Sequence, residues 1–392
     1  MNPAVRSLRD FFVSLKLTVV LLALSLILVF ASTLAQVDLG IYTVQEEFYR
    51  SFIAIWHVGG IFIPMPGGYL VGGLLLINLV SAHIYRLKLE WRKSGIQLTH
   101  SGLIVLLLGE LFTGLWQEDF QMTITEGGSR NYSESFRLYE LVVIDTTDPT
   151  MDDVVAIPDS HLARAALVQH PKLPFRVATK AYFPNAALAR RDATAPSPAA
   201  AIVPVATQGV GGSVVVTPLP LTYKMNEVNV PAAVVELIGA DGSLGTWLVS
   251  PHLGAPQTLS HAGRTWRIEL RIARAYKPFS LQLLKVTHDI YVGTDLPKNF
   301  SSRIKLTTPD GRDDREVLIY MNNPLRYDGY TFYQYQMDSS RGQTGLQVVR
   351  NPSWLLPYIA CIMMTLGLII QFGISLRAFM AKRRAIAQPA VV

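Results

Sequence analysis

Long segments without charged residues are the feature that most constrains the fold of this 392-residue chain. Leu17–Val37 and Asn351–Leu376 contain no Asp, Glu, Lys or Arg. A helix needs about 20 apolar residues to cross a hydrocarbon core about 30 Å thick, and both segments are long enough. Tyr69–His83 and Ser101–Trp116 are shorter, but they are extended by aromatic side chains of the kind that favours the membrane interface. The sequence therefore predicts four transmembrane helices, at 17–36, 69–86, 99–117 and 353–376.

Basic residues predict the orientation of these helices. Segments that flank transmembrane helices on the cytosolic side are enriched in Lys and Arg. The residues before helix one, between helices two and three, and after helix four carry only two acids, Asp10 and Glu90, against eleven basic side chains: Arg6, Arg9, Lys16, Arg86, Lys88, Arg92, Lys93, Arg377, Lys382, Arg383 and Arg384. We therefore expect both termini in the cytosol. A cleaved signal peptide is the alternative for the first helix, but its apolar core is longer than usual.

The basic residues of the cytosolic segments also indicate which partners the chain binds. The three cytosolic segments carry a net charge of +9 and the whole chain +6, so the remaining residues are slightly acidic. Positive charge beside a membrane indicates contact with anionic lipids. It gives no support for nucleic-acid binding.

Residues 119–350 are predicted to form an extracytoplasmic, all-β, sandwich-like domain inserted between helices three and four. Thr265–Ile272 alternates apolar and polar residues, which is typical of a half-buried strand. Similar short runs follow one another, separated by Gly, Pro, Asn and Asp, as in a sandwich or an open barrel. The Ala- and Pro-rich segment 186–212 indicates a long loop or flexible insertion.

No catalytic grouping is visible in this domain. Its histidines lack metal-ligand spacing, and no Ser lies in a GxSxG motif. The chain has one cysteine, Cys361, inside the fourth predicted helix, so thiol exchange within the chain is excluded.

Polar residues in the predicted helices are more informative, because they are costly in hydrocarbon. His100 begins helix three beside the small residues Ser101 and Gly102, and His83 ends helix two on the same side. An imidazole here is suited to ligate haem iron; the alternative is an interfacial histidine that bonds only to headgroups or a helix end. Asn78 is expected to hydrogen-bond between helices.

Several motifs resemble one known family. They are Tyr291–Ser302, Met321–Leu325, Tyr327–Gln334, Leu346–Pro352, the opening Leu15–Thr18 and the segment His100–Gly109. Together they are similar to the ResB (CcsB) family of cytochrome c biogenesis proteins. The resemblance extends over nearly the whole chain, except about 156–221.

The resemblance implies a subunit of a system II cytochrome c synthetase, acting with a CcsA-type membrane partner. In that family haem crosses the membrane as transient cargo and is joined to a CxxCH site of apocytochrome c. The transmembrane haem-ligating histidine of the family maps onto His100, as the iron ligand, with His83 as the second candidate. No stretch of this sequence resembles a CcsA module, so the chain alone is not expected to catalyse the ligation.

Two other readings remain open at the level of sequence. The chain is then either a membrane-anchored structural scaffold whose β-domain binds no cofactor, or a haem exporter that acts alone. The exporter would need His83 and His100 to ligate one iron together.

Overall fold

The computed structural model describes residues 3–86, 90–191, 206–222, 227–254, 256–291, 293, 297–338 and 340–387. The chain divides into two compact units. Met1–Glu118 and Arg350–Val392 form the helical unit, and Asp119–Thr222 with Asn226–Val349 form the β unit.

The helical unit contains the long apolar helices. Its helices are α1 Pro3–Phe12, α2 Leu15–Val44, α3 Gly68–Tyr85, α4 Ser94–Trp116 and α6 Leu356–Ala387, and α5 Asp159–Ala163 belongs to the β unit. Four stretches, Leu15–Tyr49, Gly68–Tyr85, Trp91–Trp116 and Leu356–Arg384, are long and apolar enough to cross a membrane, as predicted. The chain is therefore described as a membrane protein.

Three of these helices are longer than predicted, since α4 begins at Ser94 and not at 99. Helix α2 continues beyond 36 to Val44, with non-helical backbone angles at Gly40 (φ 71°, ψ 163°). Helix α6 continues beyond 376 through the basic tail, because Ala, Lys and Arg are strong helix formers.

A β-hairpin joins α2 to α3, where the sequence indicated only a loop. After a π-helical turn at Gln45–Tyr49, strands β1 Ile53–Val58 and β2 Ile61–Pro66 pair antiparallel. The connecting residues Gly59 and Gly60 both have positive φ, 54° and 84°, as the commonest two-residue hairpin turn requires.

Asn78 ties α3 to the start of the chain. It is buried, its side-chain nitrogen donates to the carbonyls of Phe12 (2.7 Å) and Ser14 (3.2 Å), and its oxygen accepts from the Thr18 hydroxyl (2.7 Å). The expected interhelical role of Asn78 is thus confirmed.

Glycine spacing determines how closely α4 approaches α6. Gly95, Gly102 and Gly109 recur every seven residues on α4, and all three are buried. A Cβ atom added to Gly95 would lie 2.5 Å from the backbone nitrogen of Gln371 and from the carbonyl oxygen of Gly367. Small residues allow helix backbones to pack this closely in membranes.

We expect Gly95→Ala to destabilise the helical unit by about 1–3 kcal/mol, because the added methyl group overlaps backbone atoms that cannot move aside. Gly72→Ala in α3 is the matched control, since nothing lies within 4 Å of its added Cβ and Ala is the better helix former. Thermal unfolding of the detergent-solubilised protein checks this. Equal midpoints for the two variants would contradict the close packing of α4 and α6.

The β unit contains sixteen strands among the described residues. They are β3 Glu118–Thr125, β4 Ser129–Asp145, β5 Asp153–Pro158, β6 Leu167–Val168, β7 Arg176–Phe183, β8 Ala186–Arg190, β9 Val214–Pro218, β10 Ala232–Gly239, β11 Gly242–Val249, β12 Gln257–His261, β13 Arg264–Ile290, β14 Pro297–Thr307, β15 Asp314–Tyr320, β16 Leu325–Tyr327, β17 Tyr330–Asp338 and β18 Gln343–Arg350. The larger sheet has the order β15-β14-β13-β4-β3-β18-β17-β16, with β5 on β4 and β12 on β13. The smaller sheet has the order β11-β10-β7-β6.

Three apolar clusters form the core of this unit, and the smallest joins β8 and β9 to the smaller sheet through Ala186, Val216, Val234 and Leu248. The first joins residues of both sheets, as a sandwich-like architecture requires: Leu141, Val143, Trp266 and Ile268 with Val177, Val235, Leu237 and Trp247. The second lies within the larger sheet and includes Met122, Phe279, Leu281, Ile304, Phe332 and Val348. The long strand β13 contributes to both the first and the second cluster.

The β13–β4 ladder is interrupted between these clusters, where the pairing shifts between Tyr276 and Leu281. Pro278 lies at this point and cannot donate to a ladder hydrogen bond.

The predicted loop at 186–212 is only partly a loop. Ala186–Arg190 is strand β8, paired with β9 from Ala186↔Pro218 to Arg190↔Val214. Small residues at 186–189 concealed this strand, because its partner lies beyond the Pro-rich stretch. Residues 192–205 lie outside the described residues.

Candidate functional site

His100 lies on the second turn of α4, with its ring fixed by the helix backbone. Its Nδ1 is 2.8 Å from the carbonyl oxygen of Ile96, one turn earlier. A carbonyl oxygen can only accept, so Nδ1 carries the hydrogen and Nε2 of the neutral ring keeps its lone pair. No other described residue hydrogen-bonds to the His100 ring. This is the arrangement in which a histidine binds a metal, with the second nitrogen held by a backbone carbonyl.

His83 approaches the same turn of α4 from α3. Its Nε2 is 3.4 Å from the hydroxyl oxygen of Ser101, the residue next to His100. Its Nδ1 is buried and has no hydrogen-bond partner among the described residues. The His83 ring is therefore the less constrained of the two.

Different sides of α4 face different neighbouring helices. Gly102 faces α6, because a Cβ added there would contact Met364 and the Ala360 carbonyl, and Ser101 faces α3 through His83. At 100° per residue, His100 lies about 160° around the helix from Gly102. The small neighbour Gly102 thus serves the contact with α6, whereas His100 points away from it.

Glu110 lies on the same outward side of α4, together with Leu103 and Leu107. Leu103 and Glu110 are exposed in the chain, and no described residue forms an ion pair with Glu110. We call His100, Leu103, Leu107 and Glu110 the outward face of α4. It carries the His100 imidazole near one end and a carboxyl group about 15 Å further along the helix.

Among the described residues, no three His, Cys, Asp or Glu side chains lie together in a way that could hold a metal ion. Cys361 is exposed on α6.

The aromatic strand β17 alternates in burial. Phe332 is fully buried, Tyr330 packs beside it, and Tyr333 and Tyr335 are exposed. Tyr330 also lies over the ammonium group of the buried Lys277, 3.9 Å from the ring centre. The inward residues of this motif are core, and only the outward tyrosines are available to a partner.

A hydroxyl–carboxylate pair lies at the turn before β17. The Tyr327 hydroxyl donates to Asp313 (2.7 Å), and this hydrogen bond raises the pKa of Tyr327. Both groups lie in the β unit.

Sequence reasoning missed the contact between His83 and Ser101 and the use of Gly102 by α6. The seven-residue spacing of Gly95, Gly102 and Gly109 is the sequence signal that could have predicted the contact of Gly102 with α6. The direction of the His83 ring has no such signal, since it depends on how α3 and α4 pack.

Comparison with known proteins places the similarity mainly in the β unit. Residues 258–344, from β12 into β18, match the model of the ResB-like family. Protein NrfI of Wolinella succinogenes is 31% identical over 110 residues, which are 26% of this chain and 12% of that protein. The chain thus spans about an eighth of the length of this curated relative. These matches confirm the resemblance indicated by the motifs: residues 258–344 of this membrane protein, which has four apolar helices, are similar to the ResB-like family.

Proposed function

We propose that this protein takes part in cytochrome c biogenesis, as the non-catalytic subunit of a system II cytochrome c synthetase. The observation that carries the proposal is the ResB-like match over 258–344 in a chain with four apolar helices. Its partner is a CcsA-type integral membrane protein, and its cargo is haem destined for the CxxCH site of apocytochrome c.

Haem is the substrate of the complex, and His100 is the residue that holds its iron during entry. Two features support this assignment: the Nε2 lone pair is left free by the bond from Nδ1 to Ile96, and the ring is only partly buried. His83 is the alternative ligand.

The outward face of α4 is the surface on which we place the CcsA-type partner. The helix contacts α6 through its glycines and α3 through Ser101, so the His100 side is left for another subunit. The second axial ligand is then supplied by the partner across this interface.

The β unit is proposed to be extracytoplasmic and to present apocytochrome. An extended peptide can pair with an exposed strand edge or lie across exposed aromatic side chains. Tyr333 and Tyr335 on β17 offer such side chains; Tyr333 lies within the Tyr327–Gln334 motif and Tyr335 directly follows it.

Co-expression tests the proposal. Cells without their own cytochrome c assembly system would receive this chain, a CcsA-type partner and a reporter apocytochrome, and covalent haem would be measured on denaturing gels. We expect haem attachment only when both membrane proteins are present. Equal attachment with the partner alone would overturn the role proposed for this chain, and attachment with this chain alone would overturn its non-catalytic role.

A further inference from the structure

The hairpin β1–β2 starts beside the apolar part of α2. The Tyr49 hydroxyl, just before the hairpin, lies 2.6 Å from the hydroxyl of Ser32 in α2. Ser32 precedes Asp38, the charged residue that ends the uncharged stretch Leu17–Val37 of α2, by six positions, or about 9 Å along the helix. The hairpin base therefore lies at the depth of side chains such as Phe30, which belong to a membrane-spanning helix.

One face of the hairpin is covered by α2 near the hairpin base, whereas Val58, Ile61 and Ile63 toward the turn of that face are 41%, 65% and 38% exposed. Ala54 is buried and Trp56 and Met65 are partly buried in a cluster with α2 residues such as Leu28 and Ala31. On the other face Ile53, Ile55 and Phe62 are 66%, 48% and 69% exposed. His57 packs edge-on against Phe62 across the strands, with ring centres 4.7 Å apart. A bare apolar face of this kind is unfavourable in water.

The chain around the hairpin contains no charge. From Ser51 to Tyr85, through the hairpin and the whole of α3, there is no Asp, Glu, Lys or Arg. Trp56 and His57 are the amphipathic residues of the hairpin, of the type that favours the boundary between headgroups and acyl chains.

The free edge of β2 has few hydrogen-bond donors. The Gly67 nitrogen donates to the Phe52 carbonyl (2.9 Å), so hydrogen-bonded pairs alternate from there and the backbone nitrogens of residues 62, 64 and 66 point away from β1. Pro64 and Pro66 occupy two of these three positions and carry no N–H group. An unpaired N–H donor is costly where water is scarce. Among the three outward positions of this edge, only Phe62 has a backbone N–H group.

We propose that the β1–β2 hairpin is a lipid-binding element that lies in the membrane boundary on the Asp38 side of α2. Its bare face, Ile53, Ile55 and Phe62, contacts acyl chains, and its covered face packs on α2. The depth fixed by Ser32, the uncharged sequence and the proline-blocked edge favour lipid over a second protein as the occupant. The proposal does not depend on the role in cytochrome c biogenesis.

Fluorescence quenching by lipid tests the proposal. In full-length protein carrying Cys361→Ser, Phe62→Cys would be labelled with an environment-sensitive nitrobenzoxadiazole dye and reconstituted in phosphatidylcholine vesicles with or without brominated acyl chains. Phe30→Cys, on the exposed side of α2, is the lipid-facing control. Arg312→Cys, whose native side chain is 86% exposed in the β unit, is the water-facing control. We expect bromolipid to quench most of the fluorescence at positions 62 and 30 and little at 312.

Two results would overturn the proposal. Quenching at position 62 by aqueous iodide and not by bromolipid would place the hairpin in water. Shielding from both quenchers would show that protein covers the bare face. Ile55→Cys, on the same face, gives a second reading if the Phe62 variant does not fold.

Discussion

Replacing His100 with alanine is expected to remove haem from the purified complex of this chain with a CcsA-type partner. His100 is the only histidine of α4, and alanine removes its Nε2 lone pair without disturbing the glycine contacts with α6. We expect haem content to fall at least tenfold, which corresponds to about 1.4 kcal/mol of binding free energy. Absorbance of the Soret band per mole of complex is the measurement.

Added imidazole and two further variants separate ligation from a structural effect. Imidazole in the buffer should restore the Soret band of His100→Ala, because it can occupy the space left by the side chain and ligate the iron. His161→Ala, an exposed histidine of the β unit, should keep the wild-type haem content. Loss of haem in His83→Ala with full retention in His100→Ala would identify His83 as the iron ligand. Retention of haem in both variants would refute the proposed haem site.

Phe332→Ala is expected to produce the largest loss of stability in the β unit, about 3–5 kcal/mol for a fully buried Phe. The Phe332 side chain is 0% exposed and packs against Phe279 with ring centres 6.1 Å apart. Because the chain has two units, its unfolding need not be a single transition, so hydrogen exchange in the full-length protein is the appropriate measurement. Amides of β14, β17 and β18 should exchange at least a hundredfold faster, as a loss near 3 kcal/mol requires.

Tyr333→Ala is the matched control, one residue further along the same strand and on the opposite face. Its side chain is 39% exposed, and exposed substitutions usually change stability by no more than about 0.5 kcal/mol. Similar exchange rates in the two variants would show that the alternating burial along β17 is wrong.

Much of the architecture could be predicted from local sequence patterns. Apolar runs with little or no charge correspond to α2, α3, α4 and α6, because a segment that crosses a membrane must be long, continuous and apolar. The alternation in Thr265–Ile272 corresponds to the first part of β13, because one side of a half-buried strand must be apolar.

Features that depend on distant partners could not be predicted in this way. The hairpin residues Ile53–Pro66 are apolar on both faces, so no alternation marked them as strands, and two prolines argued against a ladder. Ala186–Arg190 has small residues that give little strand signal, and it pairs only with Val214–Pro218. The candidate site was predicted as a pair of histidines at similar depth, but the hydrogen bond that orients His100 is a matter of side-chain rotamer.

The length of β13 has a consequence for how the β unit folds and unfolds. A single strand, Arg264–Ile290, supplies Trp266 and Ile268 to the first apolar cluster and Phe279 and Leu281 to the second. Fraying of the second cluster would therefore loosen a strand on which the first also depends. The two halves should behave as one cooperative block, so that damage to either shortens the lifetime of the whole and exposes both to proteases together.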